Sequence, residues 1–159
     1  IDVIISGLYG CYCKVINTNK SDIKLATNLI NIMSLQNIAE KKFFCLSDGE
    51  KQFVLIARAI VTKPIVLILD EPTINLDLKS QIFLTDKIQI LTKTGISILC
   101  ITHDINLINK SFNRVIFIKN RLIIEDGSPS KIINSKNINN LFDVDVTLKE
   151  NKNGWDILR

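Results

Sequence analysis

Residues 65–69 are five apolar residues in a row, and they lead straight into Asp70, Glu71 and Pro72. A run with no polar alternation leaves no side for solvent. It suits a central parallel strand buried on both faces. A second apolar run, residues 96–101 with Ser97 inside it, ends at Thr102, His103 and Asp104. Between them, residues 78–92 read as a helix that stops near Gly95. Strand, helix and strand in that order predict an α/β domain on a parallel sheet.

The flanking segments fit the same plan. Residues 20–40 read as a helix with Ser21 as its cap, because Ile23, Ala26, Leu29, Ile30 and Met33 recur at helical spacing. Residues 48–62 read as a second helix, with Phe53, Ile56, Ala57 and Ile60 on one face. Before these, residues 2–6 form a short apolar segment, followed by a glycine-bearing loop from Gly7 to Gly10. Further on, Asp104 is placed to cap a short helix through Lys110. Residues 114–119 and 121–125 predict a hairpin turning near Asn120. Two short helices and a strand pair, residues 144–148 and 155–158, are expected to finish the chain.

Bulk properties narrow the function. The 159 residues, 47% of them hydrophobic, suffice for one domain with a core. No apolar run approaches the ~18 residues of a membrane span, so the chain is expected to be soluble and cytoplasmic, meeting a membrane only through a partner. It opens on Ile1 with no basic run before the apolar stretch, which argues against a signal peptide and for a fragment of a longer protein. The net charge of +4 is scattered, as on a solvated surface, without the clustering of a nucleic-acid site. Cys11 and Cys13 are too close for an ordinary zinc pair and have no His nearby. Cys100 falls in a strand pattern and reads as a small buried hydrophobe.

Chemistry concentrates where strands end, the usual ligand position in open parallel sheets. Asp70 offers hard oxygen ligands to Mg²⁺. Glu71, next along, is placed to orient or deprotonate a water, although two acids in an exposed turn are also common. His103 is the sole histidine and follows the second strand, where it could donate to a phosphate; many single histidines are structural. Ser47 and Gly49 stand directly before a helix start, whose free amides favour anions. A plain helix cap would account for them equally.

Taken in order, these elements resemble the ABC ATPase family. Leu46-Ser47-Asp48-Gly49-Glu50 looks like its signature motif, and residues 51–60 like the helix after it. Residues 65–71 resemble the Walker B strand with its catalytic glutamate, Asn75-Leu76-Asp77 the D-loop, and His103 the switch histidine. The match spans roughly residues 2–148. It implies a P-loop NTPase-like, RecA-like core over about residues 63–159, and the end of a helical subdomain with the signature helix over about residues 1–62. It also implies roles. Ser47, Gly49 and Glu50 would face ATP held mainly by a partner subunit. Asp70 would support Mg²⁺, Glu71 would polarise the attacking water, Asp77 would act across a dimer interface, and His103 would bond the γ-phosphate.

The family pattern is not followed throughout. Asp48 replaces the usual glycine, Glu50 the usual glutamine, Phe53 a commonly basic residue, and Asn120 a common turn glycine. None of the six glycines opens a G-x-x-x-x-G-K-[ST] loop. The Walker A loop and Q-loop are therefore expected upstream of Ile1. Thr102–Asn106, the Gly127-Ser128-Pro129 turn and residues 141–144 are most similar to the subgroup importing iron complexes, haem or cobalamin, with manganese and zinc importers as close rivals. The resemblance implies ATP and Mg²⁺ as cofactors. It implies a second ATPase subunit, such as an identical copy, and transmembrane permease subunits as partners, without nucleic acid. The isolated chain is expected to be inactive. Two alternatives stay open: a non-catalytic remnant donating its signature motif to a partner, and an ABC ATPase outside transport.

Overall fold

The computed structural model describes residues 1–10, 18–108, 112–151 and 155–158. These form two compact units, residues 1–102 and 103–159.

The first unit begins with α1 (Asp2–Ser6), a single turn where a short apolar segment was expected. Five residues are too few for a helix to hold by propensity alone. Burial of Ile4 and Ile5 stabilises this one. The expected loop at Gly7 is a 3₁₀ turn, Gly7–Tyr9, pressed against the next helices. A Cβ on Gly7 would lie 2.2 Å from the Arg58 carbonyl oxygen, so only glycine permits this approach. Helix α2 (Lys20–Ile32) is capped by Asn19 and not by Ser21, since the Asn19 side chain accepts from the Asp22 amide at 2.9 Å. It also stops well short of residue 40. Ser34 adopts a left-handed φ of 55°, and the chain continues through a 3₁₀ turn, Gln36–Ile38. Ala26, Ile30 and Met33 are buried on its inner face, whereas Ile23 points outward.

Helix α3 (Asp48–Ile60) starts where expected and ends two residues before residue 62, with Phe53, Ile56, Ala57 and Ile60 all buried. It leads to β1 (Val66–Asp70), then α4 (Leu78–Lys93), then β2 (Ser97–Ile101). The two strands pair in parallel, Val66 opposite Ser97 through Asp70 opposite Ile101. This is the strand–helix–strand unit the sequence predicts. One expectation is corrected. β1 is not buried on both faces: Leu67 and Leu69 enter the core, while Val66 and Ile68 are 52% and 61% exposed. The reason is coverage. Within this unit the helical core packs on one face of the two-stranded sheet, the face that Leu67 and Leu69 enter.

The second unit holds two antiparallel pairs and two short helices. After a 3₁₀ turn at Ile105–Leu107, β3 (Val115–Lys119) pairs with β4 (Leu122–Gly127). The short helix expected from Asp104 through Lys110 reaches residues that lie outside the described ones. The hairpin loop is Asn120-Arg121, with φ of 51° and 65°; paired left-handed residues match the twist of the flanking strands. Pro129 sits in the first turn of α5 (Pro129–Ile132), where its missing N–H costs nothing. α6 (Ser135–Phe142) follows, then the pair β5 (Thr147–Glu150) and β6 (Trp155–Leu158). Phe117, Val115, Ile133 and Ile138 form this unit's own apolar centre.

Candidate nucleotide site

Two helix starts and one strand end carry most of the candidate residues. At the first helix start, Ser47 caps α3 in a reciprocal arrangement. Its hydroxyl accepts from the Glu50 amide at 3.2 Å, and the Glu50 carboxylate accepts from the Ser47 amide at 2.8 Å. The cap uses a lone pair of the serine oxygen. The amide of Ser47 holds the Glu50 carboxyl below its ordinary range, helped by the Ser47 hydroxyl and by Lys41 at 4.0 Å. Asp48, the acid in place of a glycine, lies 3.1 Å from the Lys51 amine, so its charge is offset locally.

At the second helix start, Asp77 caps α4 by accepting from the Ser80 amide at 2.7 Å. Hydrogen bonding from Ser80, hydroxyl and then amide, holds the Asp77 carboxyl below its ordinary range. The turn before it needs Asn75 at φ 61°, a conformation asparagine tolerates. The two helix starts are close. A Cβ on Gly49 would stand 3.1 Å from the Ser80 hydroxyl and 3.4 Å from a Leu76 methyl. Gly49 thus serves packing between α3 and α4, a reason the sequence did not disclose. Glu50 and Asp77 line one cleft of about 540 Å³, together with Ser34, Phe53 and Phe83.

The strand end differs. Asp70 closes β1 with an exposed carboxylate. Glu71 follows at φ 43°, left-handed and unfavourable for a residue with a Cβ. It is held there because its amide donates to the Ile101 carbonyl at 2.8 Å, joining the ends of both strands. Pro72 and Thr73 behind it are buried. Strain of this kind gathers at functional positions. Burial, and then the Glu71 charge, push the Cys100 thiol up to about 11, so it stays protonated and acts as a small apolar group.

Asp70 suits a hard cation such as Mg²⁺, which prefers a few carboxylates plus water and phosphate oxygens to an all-protein cage. The described residues contain no cluster of three or more His, Cys, Asp or Glu side chains able to enclose a metal. His103 is the exposed first residue of the second unit, two residues beyond the end of β2. Cys11 and Cys13 lie outside the described residues. No helix among the described residues is long and apolar enough to cross a membrane.

Comparison with known proteins bears on this arrangement. The family model described as ABC transporter matches residues 13–74. An uncharacterized ABC transporter ATP-binding protein of Methanocaldococcus jannaschii is 36% identical over 138 residues, 86% of this chain and 54% of that protein. The glutamate transport ATP-binding protein GluA of Corynebacterium glutamicum is 37% identical over 117 residues, 73% of this chain and 48% of its own length. The chain therefore spans about half the length of the curated relatives it matches. Among solved structures, an inward-facing putative metal-chelate type ABC transporter superimposes with a TM-score of 0.85 at 23% identity, over 99% of this chain and 65% of that one. The fold is that of the ATP-binding cassettes, a P-loop NTPase-type α/β architecture.

Proposed function

We propose that this chain, related in sequence to ABC transporter ATP-binding proteins and sharing their fold, is part of an ATP-hydrolysing subunit that drives import through a membrane permease. The observation that carries the reading is the strand end. A carboxylate suited to Mg²⁺, Asp70, is followed at once by Glu71, held in a strained turn by the neighbouring parallel strand. Such pre-set geometry suits phosphoryl transfer, which asks the protein for positioning and charge more than covalent chemistry.

In this reading Asp70 would hold the Mg²⁺ that accompanies ATP, which would supply positive charge to the phosphates. Glu71 orients the attacking water and accepts its proton. Ser47 donates to the γ-phosphate of a nucleotide held mainly by a second subunit, and the amides near Gly49 add positive potential at the start of α3. Glu50, anchored to the Ser47 amide, fixes that serine. Asp77 works across the subunit interface, and His103 donates to the γ-phosphate. None of the six glycines in these 159 residues opens a G-x-x-x-x-G-K-[ST] phosphate-cradling loop. The subunit works at the inner face of the cell membrane, bound to its permease, as one of a pair.

For the cargo, we favour an iron complex or another metal chelate. The C-terminal motifs and the likeness to a metal-chelate type transporter support this choice, while the glutamate transport relative is the main argument against it. Uptake assays with the reconstituted complex decide between chelated iron and glutamate. For the chemistry, the full-length subunit should hydrolyse ATP with Mg²⁺. Glu71→Gln should slow hydrolysis by about 10²-fold or more, the scale of a lost general base, with ATP binding and pairing retained. Loss of binding as well would make Glu71 structural, and an unmodified subunit without activity would sink the ATPase reading.

A further inference from the structure

Among the described residues Lys87 is the one buried lysine, at 7% exposure, and nothing in the chemistry above uses it. Lysine is almost never buried without partners. Here the partners come from another helix. The amine donates to the Ile32 carbonyl at 2.6 Å and to the Ser34 hydroxyl at 2.9 Å. Ile32 is the last residue of α2, so its carbonyl has no partner within the helix, and the negative end of the helix dipole favours a cation. The same ammonium lies 4.7 Å from the centre of the Phe83 ring, one turn back on α4. Phe83 in turn meets Phe53 of α3 edge to face, at 4.8 Å and 81°.

Three helices thus converge on one charged group. α2 contributes its terminal carbonyl and the hydroxyl of its exit turn. α4 contributes the lysine and Phe83. α3 contributes Phe53, at the position where the family resemblance leads one to expect a basic side chain. The cation at this junction is carried by α4 instead. Further toward the helix starts, Gly49 against Ser80 and Leu76 makes a second point of contact between α3 and α4. Two contact points along a helix pair fix both its separation and its crossing angle, whereas one leaves it free to pivot.

We infer that Lys87 is a positioning residue, clamping α2 to α4 and through Phe83 to α3, so that the helix starts bearing Ser47 and Asp77 keep one spacing. The assignment rests on the ATPase reading, because only there do these two starts serve one reaction. It differs from simple packing in what it predicts. Lys87→Met keeps the apolar stem and most of the volume, but leaves the Ile32 carbonyl and Ser34 hydroxyl without the ammonium.

The test uses the full-length subunit with Mg²⁺ and ATP, and circular dichroism to confirm folding. An unmodified subunit that hydrolyses no ATP overturns the ATPase reading. Given an active subunit, folded Lys87→Met should show kcat lowered fivefold or more with KM for ATP within twofold of the unmodified value. A smaller fall in kcat, or a KM moved beyond twofold, overturns the clamp and leaves the ATPase reading standing. Should Lys87→Met fail to fold, Ser34→Ala decides. A threefold or larger fall in kcat at unchanged KM supports the clamp, and a smaller one overturns it.

Discussion

The two helix starts and the strand end present carboxylates in opposite ways. Glu50 and Asp77 are engaged by backbone amides three residues away, in caps that relax the local chain. Glu71 sits at a left-handed φ that its own sequence disfavours, and is held by an amide–carbonyl bond to a strand 30 residues further on. Caps are local arrangements between a side chain and its own helix. The strand end is imposed from outside. Groups that position others can be built locally, while a group that must aim at a reacting atom needs a frame that distant parts of the chain supply.

The largest expected effect is on Glu71 itself, where substitution by glutamine separates hydrolysis from nucleotide binding as described above. Equal loss of the two would erase the distinction between an aimed carboxylate and a structural one. At the helix start, Ser47→Ala should destabilise the first unit by about 1 kcal/mol, the usual worth of a lost N-cap, read as a lower midpoint in urea unfolding. An unchanged midpoint would mean that the α3 cap contributes nothing to stability.

Glu71→Gly should act with the opposite sign. Relieving a left-handed residue gains about 1–2 kcal/mol, and the added freedom of the unfolded chain takes back about 0.4–1 kcal/mol. A net gain of roughly 0.8 kcal/mol, alongside lost hydrolysis, is expected. A glycine variant less stable than the unmodified chain would show that no strain is stored there.

The smallest effect is on pH dependence. Asp77 and Glu50 have lowered folded-state values, Asp77 through Ser80 and Glu50 through the Ser47 amide. Their contributions are therefore fully present above the ordinary carboxylate range and lost as pH falls through the folded-state values. Asp77→Asn keeps a capping oxygen but cannot titrate. It should flatten part of the acid limb of a melting-temperature profile below about pH 4, where ordinary Asp and Glu titrate, and leave neutral pH unchanged. An identical acid limb in both proteins would remove Asp77 from the account.

Much of this architecture is legible in the residues themselves. The span of α3 follows from a serine with a glutamate three residues on, then apolar residues at helical spacing. Both members of the parallel pair follow from apolar runs, the second broken only by Ser97, and the hairpin turn from Asn120. Local reading fails where packing overrules local preference. Ser21 loses the cap of α2 to Asn19, whose side chain reaches the Asp22 amide. α2 ends early because Ser34 turns left-handed and the Lys87 amine holds the Ile32 carbonyl. A lysine within an amphipathic helix gives no sign of burial; that depends on which carbonyl another helix brings to it.

The sequence alone determined most of the elements and their order, because caps, apolar periodicity and turn residues act over a few positions. It also carried the signature, Walker B and D-loop patterns, and with them the family likeness. Only the tertiary structure decided which face of β1 is covered, that Gly49 is a contact between helices, that Glu71 is bent into a left-handed turn, and that Lys87 is buried. Each of these depends on atoms far apart in the chain meeting within a few ångströms, and local spacing holds no record of such meetings.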